Sequence, residues 1–167
     1  MRLEDKKILD IWESLISHLS AAGYPTDPRK MREVIASCQT GCTPNVEKSG
    51  PDCFYSEGGK TFPAERKSTD GKNVSGAYTG ISVQPTWEQQ KVYLEKKIKG
   101  PGRHYYDRFC KKTGHLEESY YITGDKVHEL LLPKLEKLYP NALNKADPRL
   151  AASICMTEIK KYGVKVL

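Results

Sequence analysis

At 167 residues the chain has room for one hydrophobic core and one active site, not for two ordinary domains. Lys and Arg outnumber Asp and Glu by 27 to 21, and this excess favours a polyanionic partner such as DNA, RNA or an anionic membrane surface. No apolar run approaches bilayer-spanning length, Met1 to Asp5 lacks a signal-peptide core, and five cysteines show no regular pairing pattern; the expectation is a cytoplasmic protein with free thiols, neither membrane-spanning nor a secreted disulfide scaffold.

Ile8, Ile11, Trp12, Leu15, Ile16 and Leu19 recur at helical spacing before Gly23, so residues 4–22 read as an amphipathic helix whose apolar stripe needs a partner surface. Asp27-Pro28 is a cap followed by a first-turn proline, and Met31, Val34, Ile35 and Cys38 carry a second helix that Gly41 ends. From 40 to 85 the composition shifts to Gly, Pro, Ser, Thr and Asn. Asp52–Tyr55 and Phe62–Ser68 read there as two strands of a hairpin, turning through Ser56-Glu57-Gly58-Gly59-Lys60.

Thr86 with Gln89 forms a capping-box pattern opening a helix with Trp87, Leu94 and Ile98 on one face, and Gly100-Pro101-Gly102 closes it. A second hairpin is predicted from His104–Cys110 and Glu118–Thr123 around Lys111 to Gly114. Asp125 then caps a helix carrying Val127, Leu130, Leu131, Leu135 and Leu138, which Pro133 is expected to kink or restart. Asp147-Pro148 repeats the cap signal for a last helix to about Lys161, and Val164–Leu167 reads as a terminal strand. With no repeat or linker, the reading is one domain, 1–167, of α/β class: an α+β mixed sheet flanked by helices.

Pro51-Asp52 is followed after twelve residues by Glu65-Arg66-Lys67. On one strand Glu65 and Lys67 project to the same face, and Asp52 stands at the open end of the paired strand. Carboxylate oxygens suit Mg²⁺, which activates water for phosphodiester hydrolysis, and a neighbouring lysine holds that water or stabilises the pentacovalent charge. Asp52, Glu65 and Lys67 are therefore the candidate catalytic residues; Asp52, Glu65 and the backbone carbonyl of Arg66 are the candidate Mg²⁺ ligands. The bland alternative is a solvated Glu-Lys pair on an exposed strand.

The motif, with Glu118-Ser119-Tyr120-Tyr121-Ile122-Thr123 leading into Lys126–Leu138, and Asp147-Pro148-Arg149-Leu150 through Met156 to Val166, resembles the small type II restriction endonucleases of the PD-(D/E)XK type, PvuII-like members most of all, over roughly residues 45–167. The resemblance implies the restriction-endonuclease-like fold, with Asp52, Glu65 and Lys67 at the family's metal-binding and catalytic positions and Glu47 near a further acidic position. It implies a homodimer cutting double-stranded DNA at a short specific site, with the helical residues 1–40 supplying the dimer contact, 45–125 the catalytic and recognition hairpins, and 125–167 the closing helices and strand. The sequence departs from the family in a longer interval between Asp52 and Glu65, and in Gly80-Ile81-Ser82-Val83-Gln84-Pro85-Thr86 standing where a histidine-rich recognition segment is expected.

Ser82, Gln84 and Thr86 can still hydrogen-bond base edges, while Lys72, Asn73, Ser75 and Tyr78 fall in a segment after the catalytic strand that reads as a groove-entering loop. Lys96, Lys97, Lys99, Arg103, Lys111 and Lys112 are candidate phosphate contacts, or simply solvated. Cys38, Cys42 and Cys53 with Cys110 or His115 contain enough ligands for zinc, but the spacing matches no common zinc motif, and Cys38 and Cys155 read as core residues. His18, His104 and His128 read as ordinary helix or strand residues. Two further functions stay open: a structure-specific, nicking or repair nuclease of the same fold, and a non-catalytic basic nucleic-acid-binding module.

Overall fold

The computed structural model describes residues 3–24, 26–47 and 49–167. Helix α1 spans Leu3–Ala21 and α2 spans Pro28–Gln39, the latter capped by Asp27 Oδ1 accepting from the Arg29 and Lys30 amides. Residues Leu9, Ile11, Trp12 and Leu15 of α1 remain exposed, while Ile16 and Leu19 of the same stripe are half-buried. Cys38, expected in the buried phase of α2, is exposed; Val34, Ala36 and Ser37 take the buried face, because the helix packs through its inner turn onto Phe109 and Leu116.

Strands β1 (Thr43–Pro44), β2 (Cys53–Glu57), β3 (Lys60–Thr69), β5 (Arg103–Phe109), β6 (Leu116–Thr123) and β8 (Val164–Lys165) form one mixed sheet in the order β1-β2-β3-β5-β6-β8. The first hairpin is as expected but tighter: Glu57 pairs with Lys60 across Gly58 and Gly59, both in the left-handed region, where side chains other than glycine are strained. β3 and β5 are parallel, and every other pairing is antiparallel.

Strand β4 (Gly76–Ser82) pairs with β7 (Arg149–Ile154) in a second, two-stranded sheet. This corrects two expectations. The segment carrying Tyr78 is a strand, not a loop, and Arg149–Ile154 is a strand, the last helix α5 starting only at Met156 and ending at Tyr162. Leu150 and Ile154 are buried while Arg149, Ala151 and Ser153 are exposed, an alternation with period two that prevails over the cap signal of Asp147-Pro148. Cys155, read as core, is the exposed residue before α5. Gly76 has no room for a side chain: an added Cβ would lie 2.2 Å from the Tyr106 ring.

Helix α3 (Trp87–Leu94) starts with Thr86 Oγ1 accepting from the Gln89 amide and runs into a π-helical turn, Glu95–Lys99. Helix α4 (Gly124–Leu143) is capped by Thr123, not Asp125, and continues through both Pro133 and Pro140. Both prolines are exposed, as are Glu129 and Glu136, whose carbonyls they leave without a helical N–H, so water can serve those oxygens. The main core lies between one sheet face (Tyr106, Tyr120, Ile122), α4 (Val127, Leu131, Leu135) and the small sheet (Ile81, Leu150, Ile154). Each such buried aliphatic side chain stabilises the fold by about 1.5–3 kcal/mol. Cys42, Cys53, Tyr55, Ala64 and Tyr105 pack on the other face. The fold is mixed α/β, a mixed sheet flanked by helices, and no helix of the described residues is long and apolar enough to cross a membrane.

Candidate active site

The site is built on the β2–β3 hairpin. Cys53 pairs with Ala64, so Asp52 stands one residue beyond the last paired position. Its amide donates to the Ala64 carbonyl at 3.1 Å, and its Oδ2 accepts from the Arg66 amide at 2.7 Å. Amide and carbonyl of one strand residue point to the same side. The Arg66 carbonyl therefore faces the edge that Asp52 occupies, where β2 supplies it no partner. Asn45 fixes the approach to Asp52: its Nδ2 donates to the carbonyls of Ser49 (3.2 Å) and Pro51 (2.8 Å), and its amide donates to the Asp52 carbonyl (3.1 Å).

Glu65 and Lys67 share one face of β3, with Lys67 Nζ 2.6 Å from Glu65 Oε1. The Asp52 carboxyl is pushed up to about 6, chiefly by burial and then by the negative charge of Glu65, against the lowering effect of the Arg66 amide bond. Glu33 of α2 adds to the rise. Lys30 Nζ lies 4.0 Å from Asp52 Oδ1 and 2.8 Å from Glu33 Oε2, yet its geometry leaves that buried Oε2 without a hydrogen bond. Glu33 escaped the sequence reading because it sits nineteen positions before Asp52 on a different element; the signal available was an acid on the inner part of α2.

Arg66 points the opposite way. Its guanidinium, fully buried, makes a two-pronged ion pair with Asp107 (2.8 and 2.9 Å), lies 4.5 Å from the Tyr105 ring centroid, and donates to Thr40 Oγ1. Ser119 Oγ donates to Asp107 Oδ1 at 2.6 Å. This network holds the strand segment whose amide grips Asp52.

Glu65 and Lys67 open into a pocket of about 370 Å³ whose further lining includes Gly50, Tyr78, Thr79, Lys97 and His104. His104, read as an ordinary strand residue, forms its back wall. His104 Nε2 lies 2.7 Å from the Ile98 carbonyl, which only accepts, so the proton is on Nε2; Nδ1 then accepts from the Tyr78 hydroxyl at 3.0 Å, and Tyr106 donates to Tyr78 at 2.8 Å. Burial pushes the His104 imidazole down to about 4, so it is neutral at pH 7.

The other expected site residues scatter. Glu47 is exposed and lines a separate depression with Ser20, Tyr24, Asp27 and Lys30, so the structure does not bring it to Glu65 and Lys67. Tyr78 is buried, with its hydroxyl committed to His104 and Tyr106, which removes it from the groove-contact set. Thr86 spends its hydroxyl as the α3 cap, and the Gln84 backbone is clamped by Gln90 Oε1 and the Tyr139 hydroxyl. Lys72, Asn73, Ser75 and Ser82 are exposed. Asn73 and Ser75 line a depression that adjoins the pocket through Ala77.

Among the described residues no three His, Cys, Asp or Glu side chains converge as a metal-binding group. Two carboxylates and an edge-facing carbonyl nonetheless make a hard oxygen donor set, and a cation would offset both the burial and the Glu65 repulsion that raise Asp52. Mg²⁺ is commonly held by one or two protein carboxylates with water completing its shell, so these donors fit it. The chain matches no protein-family model, and a search of curated proteins finds no match.

Proposed function

We propose that this protein is a Mg²⁺-dependent endonuclease of the PD-(D/E)XK type that hydrolyses phosphodiester bonds of double-stranded DNA, with the restriction-endonuclease-like fold. The observation that carries the reading is the meeting of Asp52, Glu65 and Lys67 at the open end of one hairpin, with the Asp52 carboxylate gripped by the Arg66 amide. Asp52, Glu65 and the Arg66 carbonyl would hold Mg²⁺. When bound, it supplies a lowered pKa for attacking water and neutralises charge on the phosphate. Lys67 orients the water and stabilises the extra charge as water attacks phosphorus in line and the bond to the 3′ oxygen breaks, giving a 5′-phosphate and a 3′-hydroxyl. Glu33 deepens the negative potential at Asp52 and favours a cation there.

The exposed α1 residues Leu9, Ile11, Trp12 and Leu15 support a homodimer, the arrangement the resemblance implies. Cleavage directed by DNA structure rather than sequence is a second reading, favoured by the loss of Tyr78 and the engagement of Thr86 among the candidate base contacts. Incubating purified protein with unmethylated phage DNA, with and without Mg²⁺, and sequencing the fragment ends separates these. Discrete Mg²⁺-dependent bands support a site-specific enzyme, cutting only of junctions or flaps supports the second reading, and intact DNA in all arms refutes nuclease activity.

A further inference from the structure

Among the described residues, Lys97 is the pocket-lining lysine that the catalytic triplet does not account for. Glu95–Lys99, which carries it, is a π-helical turn, a feature that is frequent where function demands an unusual aim. The turn is closely packed at two glycines and held by one hydrogen bond. An added Cβ on Gly100 would lie 2.3 Å from the Lys96 carbonyl; one on Gly124 would lie 2.9 and 3.0 Å from the Lys99 and Ile98 carbonyls; and the buried His104 imidazole donates to the Ile98 carbonyl. The backbone that carries Lys97 to the pocket it lines with Glu65 and Lys67 is thus fixed through its buried neighbour Ile98.

Its charge is also unspent. Lys67 is paired with Glu65, Lys99 with Glu95 and Asp125, and Lys91 with Glu88. Lys97 joins no ion pair among the described residues; its ammonium lies 5.8 Å from the Tyr93 ring centroid, a contact that leaves it free to donate. Lys96, its neighbour, lines only a different depression, with Pro85, Val92 and the same Tyr93. We propose that Lys97 is a phosphate-binding residue of the active-site pocket, holding a non-bridging oxygen of a single DNA backbone phosphate as the strand enters beside Glu65 and Lys67. This inference rests on the nuclease reading and names a further part of the same site.

The test compares wild type, Lys97→Gln, Lys97→Arg and Lys96→Gln, each checked for wild-type circular dichroism and melting. Duplex affinity is measured with Ca²⁺ present across 50–300 mM salt, along with kcat and KM in Mg²⁺. Losing one phosphate contact lowers the slope of log affinity against log salt by about 0.9 and weakens binding about tenfold at low salt. Lys97→Gln is expected to show both and Lys97→Arg neither. A duplex with one methylphosphonate at successive positions should weaken wild type at one position to which Lys97→Gln is indifferent. An unchanged slope and KM in folded Lys97→Gln, or an equal loss in Lys96→Gln, overturns the assignment. Wild type that binds duplex without cutting it refutes the nuclease reading and leaves the salt slope and the methylphosphonate scan to decide Lys97; wild type that binds no DNA overturns both.

Discussion

Asp107→Asn keeps the shape of the side chain and removes the charge that balances Arg66. Both partners have side chains at 0% exposure, so water cannot solvate the guanidinium left behind. The Thr40 hydroxyl and the Tyr105 ring remain, but neither is an anion. Breaking one side of a buried pair costs about 3–5 kcal/mol. That is a large part of the roughly 5–15 kcal/mol that a domain has. For a chain of this length it lowers the melting temperature by roughly 6–20 °C. Urea unfolding followed by circular dichroism reads the change as a shift of midpoint at constant slope. The triple replacement Arg66→Met, Asp107→Leu and Ser119→Ala leaves no buried charge and no stranded hydroxyl, and should recover most of the loss. Asp107→Asn within about 1 kcal/mol of wild type would refute the claim that this pair is dry and strongly coupled. Because the amide that grips Asp52 belongs to the residue this ion pair anchors, the triple variant should regain stability yet cut DNA more slowly than wild type.

Asp52→Ala and Lys67→Ala should keep fold and DNA binding while losing at least about a hundredfold in cleavage, as expected for removed transition-state stabilisation; wild-type rates in either sink the assignment. Glu33→Gln should weaken the Mg²⁺ dependence of cleavage several-fold and leave the melting temperature nearly unchanged, read from a Mg²⁺ titration of the rate. Trp12→Glu with Leu15→Glu should convert a dimer to a monomer by light scattering; a wild-type monomer at micromolar concentration rules out the α1 interface. His104, held down to about 4, contributes stability that is complete above its unfolded value of 6.5 and is lost as pH falls toward 4, whereas Asp52, raised from 3.8 to about 6, contributes stability that is lost as pH rises through that range. In EDTA, Asp52→Asn should therefore lose stability more steeply than wild type between pH 6.5 and 4, and an equal or shallower fall contradicts the raised Asp52.

Both hairpins, α2 with its Asp27 cap and the Asp52, Glu65, Lys67 triplet were legible because each rests on local signals: a glycine turn, a cap before proline, and two-residue alternation along a strand. Strand β7 was not, since Arg149–Ile154 acquires its conformation by pairing with β4, a partner some seventy residues away. Tyr78 misled for the same reason. A tyrosine among Ser, Asn and Gly reads as a loop residue until β4 carries it under the sheet to His104. Glu33 and Asn45 reach the site from a helix and a loop, at separations for which no spacing rule exists.

The alternation of β3 explains why chemistry and architecture coexist within three residues. Glu65 and Lys67 look into the pocket, while Arg66 between them looks into the opposite face and is locked to Asp107 of the neighbouring strand. A strand edge is ordinarily free to fray where its partner ends, as β2 does at Asp52. Here the last amide beyond that end belongs to Arg66, whose side chain is anchored one strand away, so the donor that grips Asp52 cannot drift without breaking the buried ion pair. The Asp52 carboxylate is thereby kept in place against burial and the repulsion of Glu65, a cost that a bound cation would relieve.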